Sequence, residues 1–240
     1  MTKIWAHRGA SAYAPENTLE AFALAIEMKA DGIELDVHMT SDGAVVVSHD
    51  ATIDRCSDGR GKIAEMTFAK LREYSYEASF AGKYKNVKIP TLEEVYKLIE
   101  PTNMVVNVEI KAAGDEFIGR VFDAELKSGM RDRIIYSSFN HSCLAKMSEL
   151  NPESFTAPLY NDGIAKPWEY AASFGAKALH PHYGVVYAIK NYIAQAHEAG
   201  IRVHPWTVDS ESDILRLIEM DADAIITNRP DLGVRLRDNS

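Results

Sequence analysis

A chain of 240 residues with a formal charge of −9 and only two cysteines is long for one ordinary domain, yet close to the roughly 250 residues of a barrel of eight strand and helix units. The negative charge argues against a broad nucleic-acid footprint, so an anionic ligand has to be captured by a local basic site. Cys56 and Cys143 lack metal-ligand spacing, the chain starts without a long apolar h-region, and no stretch approaches the ~18 apolar residues of a membrane span, which predicts a soluble cytoplasmic protein with no membrane span.

The first strand is expected at residues 4–6, ending at His7-Arg8-Gly9, where polar chemistry begins. Asn17 with Glu20 has the form of a capping box, and Leu19, Phe22, Ala23 and Ile26 make an apolar stripe at helical spacing. Residues 32–37 read as the central strand. Alternate side chains of a strand share a face, so Glu34 and Asp36 point together out of an apolar run. Two ionised carboxylates buried side by side need a proton or a cation between them, and a divalent cation is the simpler solution. Ser41-Asp42-Gly43 signals a turn, after which residues 45–48 resume an apolar run. A parallel return needs about a dozen residues or more, so this segment is predicted to run antiparallel to 32–37 and to bring His49 back toward the carboxylates. Residues 51–88 lose the regular alternation and carry Tyr74, Tyr76, Phe80 and Tyr84. They are read as an insertion over one mouth of a single domain spanning residues 1–240.

Thr91 with Glu94 starts a capped helix after Pro90, and a strand at 104–110 ends in Glu109-Ile110-Lys111, again with charges at i and i+2. Strands follow at 133–137, 155–159, 176–180, 202–208 and 222–227, alternating with helices at 116–127, 141–150, 167–174, 187–199 and 211–220. With the hairpin arm set aside, the count of parallel strands matches a closed (β/α)8 TIM barrel. An open doubly wound sheet is the alternative, but no GxGxxG follows any strand. Strand ends of a barrel share one mouth, which places His7, Arg8, Glu34, Asp36, Glu109, Lys111, His180 and Trp206 on one rim, joined by His49. Three carboxylates suit Mg2+ or Ca2+, and neither a cysteine pair nor HExxH favours zinc. Arg8 and Lys111 are equipment for a phosphate, and His7 with His49 for a general acid and base. A structural ion-pair network is the competing reading of the same charges. His38, His141, His197 and His204 read as structural, while His180 and His182 stay open.

Seven short motifs stand in order: His7-Arg8-Gly9, Pro15-Glu16-Asn17-Thr18, Glu34-Leu35-Asp36-Val37, Thr40-Ser41-Asp42-Gly43, His49-Asp50, Glu109-Ile110-Lys111 and Trp206-Thr207-Val208. Together, and nearly end to end, they resemble the glycerophosphodiester phosphodiesterase family, with Asn228 where Asp is common. The resemblance implies a small-molecule glycerophosphodiester cleaved to sn-glycerol 3-phosphate and an alcohol. It implies a divalent metal on Glu34, Asp36 and Glu109, His7 and His49 as acid and base, Arg8 and Lys111 on the phosphate, and Trp206 as an apolar wall. It also implies that the substrate's 2-hydroxyl is the nucleophile, giving a cyclic phosphate that water opens. Residues 51–88 then correspond to the family's variable cap, whose tyrosines either line a groove that tolerates choline, ethanolamine, glycerol or inositol, or pack the segment's own core. A non-catalytic phosphate-binding protein on the same scaffold and a glycosidase are the competing functions, and the Arg8 and Lys111 pair speaks against the second.

Overall fold

The computed structural model describes residues 1–77, 80 and 82–240, so predicted insertion residues 78, 79 and 81 lie outside the described residues. The first half runs β1 (Lys3–His7), α1 (Leu19–Glu27), β2 (Gly32–Met39), β3 (Val45–Val47), α2 (Phe68–Leu71), α3 (Leu92–Ile99), β4 (Val105–Ile110) and α4 (Asp115–Ser128). The second runs β5 (Ile134–Ser138), α5 (His141–Leu150), β6 (Phe155–Tyr160), α6 (Pro167–Ala172), β7 (Ala178–Pro181), α7 (Tyr183–Ala188), α8 (Tyr192–Glu198), β8 (Arg202–Val203), α9 (Glu211–Glu219), β9 (Ala224–Thr227) and α10 (Pro230–Asp238). The parallel strands stand side by side in the order β8-β7-β6-β5-β4-β2-β1-β9, and β3 pairs antiparallel with the end of β2, Val47 opposite Val37. Hydrogen bonds from Asp223 N to Val203 O (3.1 Å), Ile226 N to Pro205 O (3.0 Å) and Val208 N to Ile226 O (3.0 Å) bring β8 and β9 together. The architecture is the (β/α)8 barrel that the strand count predicts.

Strand alternation sorts the side chains into two layers. Ile33, Leu35 and Val37 of β2 and Val106, Val108 and Ile110 of β4 pack outward against Phe22, Val95, Tyr96 and Val121 of the helices. The inward set includes Trp5, which packs with Ile135, Ala157, Ala178, Ala224 and Ile226. Gly32 makes room for that indole, since a Cβ there would lie 2.9 Å from Trp5 Cδ1 and 2.8 Å from Val105 O. Inward positions nearer the C-terminal strand ends carry the polar residues, so the barrel's own period delivers the chemistry to one mouth.

Four expectations shift. The cap of α1 is Thr18, whose hydroxyl accepts from Ala21 N, and not Asn17, which adopts a left-handed φ of 58°. The helix expected at 187–199 is two helices, α7 and α8, because Ile189 is extended and Asn191 takes a φ of 54°. Regular pairing of β8 stops at Val203, since Pro205 has no N–H for the ladder. The last strand does not complete the chain. Pro230 opens α10 at its first turn, where a missing N–H costs nothing. The capping box at Thr91 and Glu94 forms with both bonds in place, and Thr91→Ala is expected to cost about 1 kcal/mol. Thermal melting checks this as a fall of about 2–4 °C. No helix among the described residues is long and apolar enough to cross a membrane.

Candidate active site at the C-terminal mouth

β1, β2 and β4 end together, with His7 opposite Glu34 and Asp36 opposite Glu109 in the register. The three carboxylates are buried, at 4%, 0% and 8% exposure for Glu34, Asp36 and Glu109. They offer ligand oxygens that lie within 4.8 Å of one another. Arg8 follows β1 with a φ of 55°, which turns its backbone N–H onto Glu34 Oε2 (3.0 Å) and its Nε to 3.4 Å from Asp36 Oδ2. Lys111 Nζ lies 2.8 Å from Glu109 Oε1 and 3.4 Å from Asp36 Oδ1. Two cations face three carboxylates, and Asp36 Oδ1 accepts no hydrogen bond. The ion-pair network therefore exists, but it leaves an excess of buried negative charge.

The electrostatics record that excess. Burial and then the charge of Asp36 push the Glu109 carboxyl up to about 7. Glu34 is pushed well above the usual range by burial, Asp36 and Glu109. At Asp36 burial pushes upward, but Arg8 and Lys111 outweigh it and hold the carboxyl below its ordinary value. A hard divalent cation fits this donor set and relieves the repulsion. A carboxyl raised from about 4.5 to about 7 on folding binds more protons folded than unfolded in that window, so its contribution falls as pH rises through it, by up to a few kcal/mol. The buried histidines push stability the other way below about pH 6.5, so the test is a difference. In melts of cation-free protein, the stability of Glu109→Gln relative to the native chain is expected to rise between pH 4.5 and 7. A flat difference rejects the raised carboxyl.

His49 arrives as the hairpin predicts, aligned by His38 Nε2 on its backbone O (3.1 Å). Its Nδ1 lies 2.7 Å from Asp50 Oδ1. Arg55 donates through Nε to Asp50 Oδ2 (2.7 Å) and through both terminal nitrogens to Glu16 (2.8 Å each). The hydrogen bond from Arg55 leads in pulling Asp50 down to about 2. Glu16 also accepts from Arg8 Nη1 (3.0 Å), and Asn17 Nδ2 donates to Asp36 Oδ2 (2.8 Å), so both brace the site. His7 Nδ1 lies 2.7 Å from Asn228 Oδ1, and its Nε2 lies 3.8 Å from Glu34 Oε2. Burial, followed by the Arg8 charge, lowers His7 to about 4 in the cation-free protein.

His7, Arg8, Glu34, His49, Glu109, Lys111 and Trp206 line one pocket of about 80 Å3, with Phe139 edge-on to Trp206 at 5.5 Å. A larger cavity, about 680 Å3, opens at the opposite end among Lys3, Trp5, Arg202 and His204, away from the carboxylate cluster. His180 does not reach the mouth. Its alternation turns it into the barrel, fully buried, with Nε2 2.9 Å from His204 Nδ1. His182 caps α7 through Nδ1. Tyr74, Tyr76 and Tyr84 pack around Ile53, Ile63 and Val87, so they form the small core of the 51–88 segment and leave the mouth's aromatic wall to Phe139 and Trp206. Arg55 and Phe139 escape sequence reasoning because Glu16 and Trp206 reach them only through the tertiary fold. Asp50, next to His49, carried the one local signal.

The fold and its mouth define a barrel protein with a cation-ready carboxylate cluster, two imidazoles and two basic side chains around one pocket. The model of the Glycerophosphoryl diester phosphodiesterase family matches residues 7–232. The glycerophosphodiester phosphodiesterase of Caldanaerobacter subterraneus is 37% identical over 98% of this chain and 97% of its own. That of Bacillus altitudinis is 34% identical over 99% of each. An Oleispira antarctica phosphodiesterase solved in complex with the product sn-glycerol-3-phosphate superposes with a TM-score of 0.92, at 27% identity, over 99% of this chain and 97% of that one. This chain belongs to the glycerophosphoryl diester phosphodiesterase family.

Proposed function

We propose that this protein hydrolyses glycerophosphodiesters to sn-glycerol 3-phosphate and an alcohol through a cyclic phosphate. The carrying observation is the convergence of three buried carboxylates, two imidazoles, Arg8 and Lys111 at one mouth. The names of the two relatives and the product held by the Oleispira enzyme support the substrate class. Glu34, Asp36 and Glu109 would hold Mg2+ or Ca2+, which would supply charge neutralisation for the phosphate. Arg8 and Lys111 bind the phosphate.

The two imidazoles differ in what stands behind them. His49 has the Asp50 carboxylate 2.7 Å from Nδ1, an acceptor that orients the ring with Nε2 toward the mouth and suits the acid. His7 has a neutral amide there and Arg8 beside it, which suits the base. His7 Nε2 takes the proton from the substrate's 2-hydroxyl as that oxygen bonds to phosphorus. The bond from phosphorus to the departing alcohol breaks, and His49 gives that alcohol its proton. Water then attacks the cyclic phosphate, His49 takes the water's proton, the bond from phosphorus to the 2-oxygen breaks, and His7 returns its proton to that oxygen. Phe139 and Trp206 face the alcohol, the chain works as one domain over residues 1–240, and residues 51–88 bound the mouth through Arg55. A reducing cytosol suits the free thiols of Cys56 and Cys143.

A glycerophosphocholine analogue lacking the 2-hydroxyl tests the internal nucleophile. It is expected to bind as a competitive inhibitor and to release no choline, whereas turnover comparable to glycerophosphocholine contradicts the cyclic route.

A further inference from the structure

Behind His7 a line of hydrogen bonds runs away from the pocket to Asp209, in the loop between β8 and α9. Asp209 accepts from Asn228 N (2.8 Å) and Thr227 Oγ1 (3.0 Å) on one oxygen and from Asn228 Nδ2 (2.6 Å) on the other. A carboxylate has no hydrogen to give, so the Asn228 atom that meets Asp209 is the amide nitrogen. The amide oxygen is thereby turned toward β1, where it lies 2.8 Å from Ser11 Oγ and 2.7 Å from His7 Nδ1. Ser11 Oγ is also 2.8 Å from His7 O, so its one hydrogen is shared between the strand end and the amide. An amide oxygen likewise has no hydrogen to give, and the hydrogen between it and the imidazole therefore sits on Nδ1. The neutral ring is left with its lone pair on Nε2, the nitrogen 3.8 Å from Glu34 in the mouth pocket.

We infer that Asp209 and Asn228 form a positioning relay that holds His7 in the Nδ1–H tautomer, with Nε2 free for the substrate hydroxyl. The inference rests on the reading of His7 as the base. Each link is one-directional: an acceptor-only acid fixes the amide, and the amide oxygen fixes the ring. The relay orients the imidazole without putting a negative charge in contact with it, in contrast to the carboxylate behind His49.

The test is the ring-nitrogen spectrum of 15N-histidine-labelled protein, with His7→Ala to assign the signal, alongside steady-state kinetics on glycerophosphocholine. The native chain is expected to show His7 with Nδ1 protonated and Nε2 unprotonated. Asn228→Leu, which keeps the volume and removes the acceptor, is expected to populate both tautomers. It should lower kcat on the order of 10- to 100-fold, the usual cost of losing an imidazole's outer partner, with KM little changed. Asp209→Asn, which lets the amide turn, is expected to move the spectrum the same way, and guards against misfolding of the first variant. An Nε2–H signal in the native chain, or an unchanged tautomer in both variants, overturns the relay. Full activity in His7→Ala overturns the base assignment instead, and the native and variant spectra still decide the relay on their own.

Discussion

His7→Ala is expected to lower kcat for glycerophosphocholine by about 10²- to 10⁴-fold, the usual contribution of a general base, while KM moves little. The side chain stands at the end of β1 with 16% of its surface exposed, so its removal opens space at the mouth and not in the core. Arg8 is held through its backbone N–H on Glu34 and its guanidinium on Glu16, neither of which involves the imidazole. The phosphate and cation sites should therefore survive, and the loss should fall on the proton transfer alone. Near-native turnover in this variant removes His7 from the mechanism.

Glu34→Gln is expected to act in opposite directions on activity and on stability. The native chain buries three carboxylates against two cations, and the charge of Asp36 and Glu109 joins burial in pushing Glu34 well above its usual range. A glutamine keeps an oxygen for Arg8 N–H, which bonds Glu34 Oε2 at 3.0 Å, but carries no charge. Cation-free protein should then melt higher, by roughly 1–3 kcal/mol of relieved repulsion or about 2–4 °C per kcal/mol. Affinity for Mg2+ or Ca2+ should fall by more than the ~10- to 100-fold that loss of a mere outer partner costs, and activity should fall with it. Calorimetric titration with each cation and melting curves without cation check the two halves separately. Unchanged cation affinity would move the metal site elsewhere.

Much of this site is legible because strand periodicity is local. Glu34 and Asp36 sit two apart in an apolar run, so their shared face follows from the period alone, and Ser41-Asp42-Gly43 is enough to bring His49 back. Thr91 and Glu94 announce their helix in the same way. What escapes depends on closure of the barrel or on unusual backbone. Asn17 reads as a cap, but its left-handed conformation turns its amide onto Asp36 and leaves the cap to Thr18. Asn228 reaches His7 across 221 positions of sequence, once β9 has closed against β1. His180 has a strand-end position, but its parity sends it into the interior with His204. The run at 187–199 looks like one helix by composition, and only the conformations of Ile189 and Asn191 divide it.

The central claim is a cation-dependent cleavage at this mouth. Release of sn-glycerol 3-phosphate from glycerophosphocholine, measured with Mg2+, with Ca2+ and with chelator, tests it most directly. Release that stops with chelator and returns with one of the two ions is the predicted result. Release unaffected by chelator, or none with either ion from any glycerophosphodiester, would contradict it.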